Sequence, residues 1–346
     1  VINTTMTGYQ EVLTDPSYRA KIVAMTCTEI GNYGTNRDDE ESAAPQVAGF
    51  VVRAASVLPS YWRARQGLPQ DLHEHGIPPI YDIDTRALTR HIRERGAMRA
   101  VLSSVDRDVE SLVAKARRAK PLGERPLVRE VTCAESYAWN EGVDPAWAGP
   151  NGVATGGTRP RMVAFDFGIK RNILRLLHDA GFDVTVVPAT TDAESVLGMR
   201  PDAVFLSNGP GDPTEPAYAV DAVRGLIGQV PIFGICLGHQ IAALAVGGKT
   251  FKLKVGHRGG NHPVQDLATG KVAITSQNHG YAVDPESLPE SVTVTHLNLN
   301  DRTCEGFVDK EARLFAVQYH PESSPGPHDS AGLFLSLIHI SEPTRP

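Results

Sequence analysis

The amino-acid sequence predicts an α/β protein with a mostly parallel central sheet covered by helices, preceded by a smaller mixed α/β domain. From about residue 160 onward, short apolar runs alternate with stretches of helical periodicity. These runs are almost continuously apolar, which is typical of parallel strands buried on both faces. Before residue 130, short apolar runs and helical stretches occur without that regular alternation, which indicates a separate domain.

The first half contains an apolar run at residues 48–56 and two amphipathic helices. The first helix, DTRALTRHIRERG, begins at Asp84 or Thr85, since either side chain can cap it, and Gly96 supplies a stop signal. The second helix, DRDVESLVAKARRAK, ends before Pro121. Its basic stretch at residues 115–120 is interpreted as a solvated helix face.

The segment 134–160 is rich in glycine, proline and polar residues and has no sustained period, so it is predicted to be a linker. Trp139 and Trp147 within it are expected to pack on a domain surface. The predicted domains are therefore residues 1–133 and 161–337. The opening VINTTMTGYQ reads as if it begins inside a strand, which suggests a truncated start. Residues 338–346 are predicted to be a non-native tail.

Strands and helices alternate through the second half of the chain. The predicted strands are 162–168, 183–188, a run starting at 202, 231–235 and 314–320. The predicted helices are 170–181, 193–199, 218–227 and 239–248. Ligands bind outside the carboxyl ends of strands in such sheets. The glycine-rich loop at 207–212 and Cys236 both follow strands, so they are expected at the same edge.

Composition and charge exclude several classes of protein. The formal net charge is -6, which argues against a general nucleic-acid-binding protein, since such proteins usually carry basic stripes. No apolar run approaches the roughly 20 residues that span a bilayer, and no secretory leader is visible. The four cysteines are far apart, without a CxxC pair, so neither a zinc site nor a disulfide framework is indicated. A cytoplasmic setting is expected.

Cys236 lies in the pentapeptide Gly-Ile-Cys-Leu-Gly, between a predicted strand and a predicted helix. This pattern matches the G-x-S-x-G turn of hydrolases, with sulfur in place of oxygen. The N-terminus of the following helix favours a thiolate, and the N–H of Leu237 is placed to face an oxyanion. Taken alone, the pentapeptide is equally compatible with a small cysteine in the core.

A base for this thiol is available in YHPESSPGPH, where His320 follows an apolar strand and Glu322 comes two residues later. A histidine can take the thiol proton and return it to a leaving amine, while a carboxylate fixes its tautomer and orientation. His239 is close to Cys236 in sequence. Three positions into a helix it would point away from the sulfur, so it is interpreted as structural.

GICLGHQ, the downstream HPE and NGPGDP together resemble the class I (triad) glutamine amidotransferases, over residues 162 to about 335. The resemblance implies that Cys236 attacks the side-chain amide of glutamine, giving a γ-glutamyl thioester and ammonia. Water then releases glutamate. His320 would be the general acid and base, and Glu322 would orient it.

NTTMTGYQEVLTDPSY, IGNYGTN, DIDTRALTRHIRERG, FDFGIKRNILR and GHRGGNHPV are similar to the small-subunit family of carbamoyl phosphate synthetase, which extends the resemblance over nearly the whole chain. It implies that Ser17 reaches the glutamine site from the first domain. The other implied L-glutamine-binding residues are Gly209, Gly211, Leu237, Gln240, Asn278, Gly280 and Tyr281. The N–H of Gly211 would join that of Leu237 in an oxyanion hole. The family commonly has Phe where this chain has Tyr281.

The resemblance also implies a partner, the carbamoyl phosphate synthetase large subunit. ATP, magnesium and bicarbonate would be used there, and ammonia would reach it through a tunnel. This chain has no G-x-x-x-x-G-K-[ST] loop, so no cofactor or metal is expected in it. The first domain would act as an interface and a lid, with part of its apolar surface exposed.

Two other functions stay open at this stage. A cysteine hydrolase on the same fold could act on another amide or ester, although NGPGDP and the Ser17 segment argue against it. A regulatory or scaffold subunit could carry an intact triad that is silent without its partner. Glutamine turnover with and without the large subunit distinguishes these possibilities.

Overall fold

The structure is a computed structural model that describes residues 1–144 and 159–334. The first domain contains a parallel sheet in the order β1-β2-β4-β6 and a separate pair, β3-β5. Its strands are β1 (Ile2–Asn3), β2 (Ile22–Met25), β3 (Glu29–Ile30), β4 (Gly49–Val51), β5 (Ala54–Ala55) and β6 (Pro79–Ile80). Its helices are α1 (Tyr9–Thr14), α2 (Leu68–Glu74), α3 (Thr85–Arg95), α4 (Val109–Arg118) and α5 (Leu127–Val131).

The two amphipathic helices predicted in this domain are confirmed as α3 and α4. The Asp84 carboxylate accepts a hydrogen bond from the N–H of Ala87, and Gly96 follows the last turn of α3. Asp108 caps α4 in the same way, through the N–H of Glu110. The basic side chains of α4 lie at its exposed face, as predicted, and Lys115 pairs there with Asp106.

The second domain is built on a sheet that, among the described residues, has ten strands in the order β13-β12-β14-β15-β16-β11-β10-β8-β9-β7. These strands are β7 (Tyr137–Trp139), β8 (Arg161–Asp166), β9 (Asp183–Pro188), β10 (Ala203–Leu206), β11 (Ile232–Ile235), β12 (Lys249–Asp266), β13 (Val272–Asp284), β14 (Val292–Asn298), β15 (Cys304–Asp309) and β16 (Leu314–Val317). Its helices are α6 (Arg171–Asp179), α7 (Ala193–Gly198), α8 (Ala217–Leu226) and α9 (Leu237–Ala245).

The centre of this sheet is parallel, which confirms the predicted fold class. Strands β9, β8, β10, β11 and β16 pair in parallel, whereas β12 to β15 form an antiparallel extension. Side chains of β8 alternate between two buried clusters: Val163 and Phe165 pack in one, and Met162 and Ala164 in the other. Both faces of the sheet are therefore covered, as continuously apolar strands require.

Part of the predicted linker belongs to the sheet. Tyr137–Trp139 pairs antiparallel with β9, and Trp139 packs against the buried cluster that contains Phe182. The expectation for Trp147, the rest of the linker from 145 to 158, and the tail at 338–346 lie outside the described residues. The domain boundaries stay a prediction.

The register of the central strands brings the candidate loops together. Leu206 of β10 is opposite Gly234 of β11, and Ile235 of β11 is opposite Val317 of β16. The residues that follow these three strands therefore leave the sheet at one edge, as predicted for 207–212 and Cys236. The predicted strand ending at His320 stops at Val317, because the chain then changes partner and His320 pairs with Ser276 of β13.

Candidate active site

The turn at Cys236 joins β11 directly to α9. Cys236 occupies the N-cap position with φ 55° and ψ -102°, a backbone conformation that residues other than glycine rarely adopt. Its N–H donates to the carbonyl of Val317, and its thiol lies 3.8 Å from the carbonyl oxygen of Asn278. The backbone thus holds a buried sulfur at the start of a helix, where the dipole favours negative charge.

Glycines on both sides make this turn possible. A Cβ on Gly238 would lie 2.1 Å from the carbonyl oxygen of Leu206, and one on Gly234 would lie 2.8 Å from the carbonyl carbon of Gly238. No side chain can be accommodated at such distances without moving backbone. The G-x-C-x-G pattern is therefore explained by the close approach of α9 to β10 and β11.

His320 and Glu322 form a short hydrogen bond behind the sulfur. The distance from His320 Nδ1 to Glu322 Oε1 is 2.5 Å, and both residues are buried. Among the described residues, His320 Nε2 is a buried atom without a hydrogen-bond partner, and Cys236 is one of the groups that interact electrostatically with this imidazole. The structure therefore brings together the three residues that the sequence predicts as catalytic.

The charges in this group favour an imidazolium and a carboxylate. Burial opposes a charged His320, but the charges of Glu322 and Cys236 outweigh it and raise the pKa of His320 to about 10. Burial likewise opposes ionisation of Glu322, yet Lys170 and His320 lower the pKa of Glu322 to about 2. The carboxylate is thus held in the ionised form, which accepts a hydrogen bond from the N–H at Nδ1.

Lys170 completes this buried charge network. Its Nζ lies 2.9 Å from Glu322 Oε1 and 2.5 Å from the carbonyl oxygen of Ser323. The ammonium is buried, which lowers its pKa, but the charges of Glu322 and Glu41 raise the pKa of Lys170 overall. Lys170 therefore balances the charge of the Glu322 carboxylate at Oε1, the same oxygen that faces His320 Nδ1.

The first domain reaches the site through the segment that contains Asp15 and Ser17. The Ser17 hydroxyl accepts a hydrogen bond of 2.9 Å from the Asn208 side-chain amide. One oxygen of Asp15 accepts from the Ser17 N–H, and the other accepts from the Asn278 side-chain amide at 2.9 Å. Ser17 is thus at the predicted interdomain position, beside the loop that carries Gly209.

The other residues predicted to bind glutamine surround the same region. Gln240 donates to the carbonyl of Tyr281 at 2.8 Å and to the Gln318 side chain at 2.9 Å, which links α9 to β13. Leu237 is the first residue of α9, where N–H groups lack intrahelical acceptors. A Cβ on Gly209 would lie 2.2 Å from the carbonyl oxygen of Phe167. The loop after β10 is therefore packed against Phe167, the residue that follows β8.

Gly211, Gly280 and Tyr281 line a cavity of about 750 Å³ between the two domains. The added hydroxyl of Tyr281 has a role, since it forms a hydrogen bond to Asp212; burial and this bond raise the pKa of Tyr281. Lys21 and Arg258 also line the cavity. Burial and the charge of Arg258 lower the pKa of Lys21 to about 7, with Asp15 and Cys236 opposing this effect. Arg258 therefore supplies positive charge to the cavity wall, and Lys21 adds to it as the pH falls below 7.

Two other histidines near this site, His239 and His279, differ from His320 in that their rings are neutral. His239 is fully buried, and its ring packs against Phe307 with 4.9 Å between ring centroids. Burial lowers the pKa of His239 to about 3, so the ring is neutral and its predicted structural role is supported. Burial and then the charge of His257 hold the pKa of His279 well below its ordinary value. His279 is consequently neutral as well.

Comparison with known proteins assigns both halves of the chain. The class-I glutamine amidotransferase family matches residues 163–340, and the carbamoyl-phosphate synthase small chain, CPSase domain, matches residues 1–102. The carbamoyl phosphate synthase small chain of Syntrophotalea carbinolica is 55% identical over 347 residues, covering 100% of this chain and 92% of that protein. The chain belongs to the carbamoyl phosphate synthase small-chain family. This confirms the family indicated by its sequence motifs.

Other small chains have comparable similarity. The carbamoyl phosphate synthase small chain of Aquifex aeolicus is 52% identical over 99% of this chain and 92% of its own length. The chloroplastic small chain of Oryza sativa is 51% identical over 100% of this chain and 77% of its own length.

Among the described residues, no helix combines the length and apolar character needed to cross a membrane.

Sequence reasoning missed three side chains that organise this small-chain site: Asp15, Lys170 and Asn208. Each lies within a motif that had been noticed for another reason, namely LTDPSY, FDFGIKRNILR and SNGPGDP. A lysine next to a helix and an aspartate in a turn have ordinary surface interpretations. The deciding feature is that they are buried, at 5% exposure or less, and this depends on contacts between distant segments.

Proposed function

We propose that the chain is the glutamine-hydrolysing subunit of carbamoyl phosphate synthase and that Cys236 carries the reaction. The observation that supports this most strongly is the buried set Cys236, His320 and Glu322, with a 2.5 Å bond from His320 Nδ1 to Glu322 Oε1. A strained nucleophile at a helix N-terminus, a histidine and an orienting carboxylate are the components of nucleophilic amide hydrolysis.

In the first step, the Cys236 thiolate attacks the side-chain carbonyl carbon of L-glutamine, forming a C–S bond and an oxyanion. The N–H groups of Leu237 and Gly211 would donate to this oxyanion. When the C–N bond breaks, the His320 imidazolium gives its proton to the nitrogen, so ammonia leaves and a γ-glutamyl thioester remains. His320 is then the neutral base required for the next step.

In the second step, His320 takes a proton from water, and the oxygen attacks the thioester carbonyl carbon. The C–S bond breaks, which releases glutamate and restores the thiolate and the imidazolium. Glu322 keeps Nδ1 protonated throughout, so Nε2 is the atom that exchanges protons. No metal or cofactor takes part in these steps as proposed.

Substrate recognition is proposed to use the cavity between the domains. Arg258 is buried, and its Nε has no hydrogen-bond partner among the described residues. With Lys21 it provides positive charge for the α-carboxylate of glutamine. Ser17, Gly209, Gln240 and Asn278 would contact or position the rest of the amino acid.

The ammonia is proposed to pass to a large subunit, which would use ATP, magnesium and bicarbonate to make carbamoyl phosphate. Apolar side chains on the first domain support such a partner: Val57 and Leu58 are 79% and 80% exposed, and Trp62 is 76% exposed. We also expect a cytoplasmic setting, since all four cysteines are free thiols.

The test is release of ammonia from glutamine by the purified chain, with and without the large subunit. We expect Cys236→Ser to abolish activity and the large subunit to increase the activity of the parent chain. Cys27→Ser is the matched control, since Cys27 lies in the first domain and donates to the carbonyls of Met6 and Glu29.

Three results would contradict the proposal. Equal ammonia release by the parent chain and Cys236→Ser would remove Cys236 from the mechanism. A folded chain that is inactive even with the large subunit would favour a regulatory or scaffold subunit. Hydrolysis of other amides or esters in preference to glutamine would favour a different cysteine hydrolase.

A further inference from the structure

A cluster of ligand-type side chains lies on the antiparallel extension of the sheet. His257 of β12 and His279 of β13 are directly opposite each other, and Glu305 is on β15. One nitrogen or oxygen atom from each residue lies within 4.8 Å of the others. His257 Nδ1 is 3.7 Å from Glu305 Oε1. All three residues are separate from the triad of Cys236, His320 and Glu322.

Both histidines are held by a hydrogen bond on one ring nitrogen. His257 Nε2 lies 2.8 Å from an oxygen of the Asp301 carboxylate, and His279 Nδ1 lies 2.7 Å from the carbonyl oxygen of Tyr281. Each acceptor requires an N–H, so the opposite nitrogen of a neutral ring carries a lone pair. Those atoms are His257 Nδ1 and His279 Nε2. Metal-binding histidines usually have this arrangement, in which an oxygen acceptor orients the ring.

The environment of these two lone pairs lacks donors. His257 Nδ1 is buried and has no hydrogen-bond partner among the described residues. His279 Nε2 is 3.0 Å from Gln277 Oε1, so two acceptors face each other when the ring is neutral. Rotating the Gln277 amide does not remove this conflict. The Gln277 nitrogen donates to Glu305 Oε2 at 2.9 Å, so rotation would place the amide oxygen against that carboxylate oxygen. Burial disfavours a proton on His257, but Glu305 and Asp301 raise the pKa of His257 overall. A cation, either a proton or a metal ion that displaces it, is therefore the missing component.

We propose that His257, His279 and Glu305 bind one divalent transition-metal cation, of which Zn²⁺ is the best match to two imidazoles and a carboxylate. Bonds of about 2.1 Å at tetrahedral angles place ligand atoms about 3.4 Å apart. The 3.7 Å between His257 Nδ1 and Glu305 Oε1 is close to this spacing. Small side-chain movements bring His279 Nε2 into the same sphere, and water is the fourth ligand.

The surroundings allow the cation to enter and balance its charge. The Glu305 oxygens accept from Asn298 and Gln277, which orients the carboxylate and leaves lone pairs for the metal. The His257 side chain is 11% exposed and its partner Asp301 is 40% exposed, so the cluster opens toward solvent on that side. Glu305 and Asp301 supply two negative charges near the ion.

The metal joins three strands that are otherwise connected by hydrogen bonds. His279 lies between Asn278 and Gly280 on β13, so a metal at His279 fixes the segment that carries two of the predicted glutamine-binding residues. A ligand that binds only the folded chain stabilises it by mass action. Saturating Zn²⁺ is therefore expected to raise the unfolding temperature by about 5 °C.

The test uses the full chain carrying Cys236→Ser, so that the thiolate beside His320 does not compete for the metal. Zn²⁺ affinity is measured by competition with a chromogenic chelator. We expect one Zn²⁺ per chain, an affinity at least tenfold lower in His257→Ala and Glu305→Gln, and an unchanged affinity in His296→Ala. His296 is the matched control because it is another half-buried histidine of the same sheet, on β14.

Cobalt gives a second measurement that needs no variant of the proposed ligands. Co²⁺ added to the Cys236→Ser chain should give the visible absorption of a tetrahedral site, lack a thiolate charge-transfer band, and be displaced by Zn²⁺. His257→Gln provides a polar replacement if His257→Ala misfolds. Absence of binding at micromolar Zn²⁺, or equal loss of affinity in His257→Ala and His296→Ala, would overturn the proposal. A thiolate band would do the same, since it would assign the metal to another site.

Discussion

At the level of single residues, the active site is a buried chain of alternating charges. Lys170, Glu322 and His320 follow one another with distances of 2.9 Å and 2.5 Å between charged atoms. Each member offsets the cost of burying its neighbour, because removing one partner from a buried pair leaves an uncompensated charge. The order of charges keeps the His320 imidazole protonated on Nδ1 and directs its other nitrogen to the site of chemistry.

Replacing Glu322 by glutamine should make both activity and stability depend differently on pH. The variant loses the interaction that most strongly raises the pKa of His320, so we expect glutamine hydrolysis to fall about 100-fold. In the parent, the pKa of His320 is raised from 6.5 to about 10. The resulting stabilisation is complete below pH 6.5 and is lost as the pH rises toward 10.

The unfolding temperatures of the parent and Glu322→Gln should therefore differ most near pH 6. The difference should become smaller toward pH 10, where the pair of Glu322 with Lys170 still contributes. Thermal unfolding followed between these pH values measures the difference, with Glu290→Gln as the control because Glu290 is exposed. A difference that does not change with pH would show that Glu322 does not hold His320 in its charged form.

At the level of elements, the catalytic turn depends on how closely α9 approaches its neighbouring strands. Gly238 lies in the first turn of α9, and its N–H donates to the carbonyl of Ser207. This contact places the helix N-terminus beside the loop after β10, where Gly209 and Gly211 follow. The distance between helix and strand therefore sets the position of both proposed oxyanion donors.

Gly238→Ala should disrupt this arrangement, because the new Cβ would lie 2.1 Å from the carbonyl oxygen of Leu206. We expect a loss of stability of about 3 kcal/mol or more and a loss of glutaminase activity. Gly198→Ala is the matched control, since Gly198 is also helical and has no atom within 4 Å of the added Cβ. Equal unfolding temperatures and activities for the two variants would contradict the close-approach argument.

The parallel core and the elbow could be predicted from sequence because their signals are local. Apolar runs, glycines and caps within a few residues define β8 to β11 and α9. The strands β12 to β15 were not predicted. The polar and glycine-rich stretch GHRGGNHPV lacks the apolar alternation of a strand, although it belongs to β12. Its pairing with β13 shifts register between Lys252 and His257 and again between Gly259 and His262.

The triad was predictable for a similar reason, whereas the residues that hydrogen-bond to it and to the neighbouring loop were not. His320 and Glu322 are two residues apart, and the elbow around Cys236 is contiguous. By contrast, the bond between Lys170 and Glu322 joins positions 152 residues apart, and the bond between Asp15 and Asn278 joins positions 263 residues apart. A pattern of a few residues contains no information on such contacts.

At the level of the whole molecule, the proposed glutamine site lies where the two domains meet. Arg171 pairs with Glu40 at 3.0 Å, and the Glu41 carboxylate accepts from the N–H of Asn172. Both contacts join the first domain to the start of α6, next to Lys170. The same first domain supplies Ser17 and Asp15 on the other side of the site. The domain interface therefore positions residues for binding, while the triad belongs entirely to the second domain.

This separation of binding residues from the triad predicts that Asp15→Ala affects glutamine binding more than the rate of the chemical steps. Asp15 accepts from Asn278 and from the Ser17 N–H, so both residues lose their orientation in the variant. We expect KM for glutamine to rise about tenfold, equivalent to about 1.4 kcal/mol, and kcat to change less than threefold. Steady-state ammonia release with the large subunit present measures both constants, with exposed Asp38→Ala as control. A fall in kcat at unchanged KM would instead place Asp15 with the triad, because an interaction needed only in the transition state has been lost.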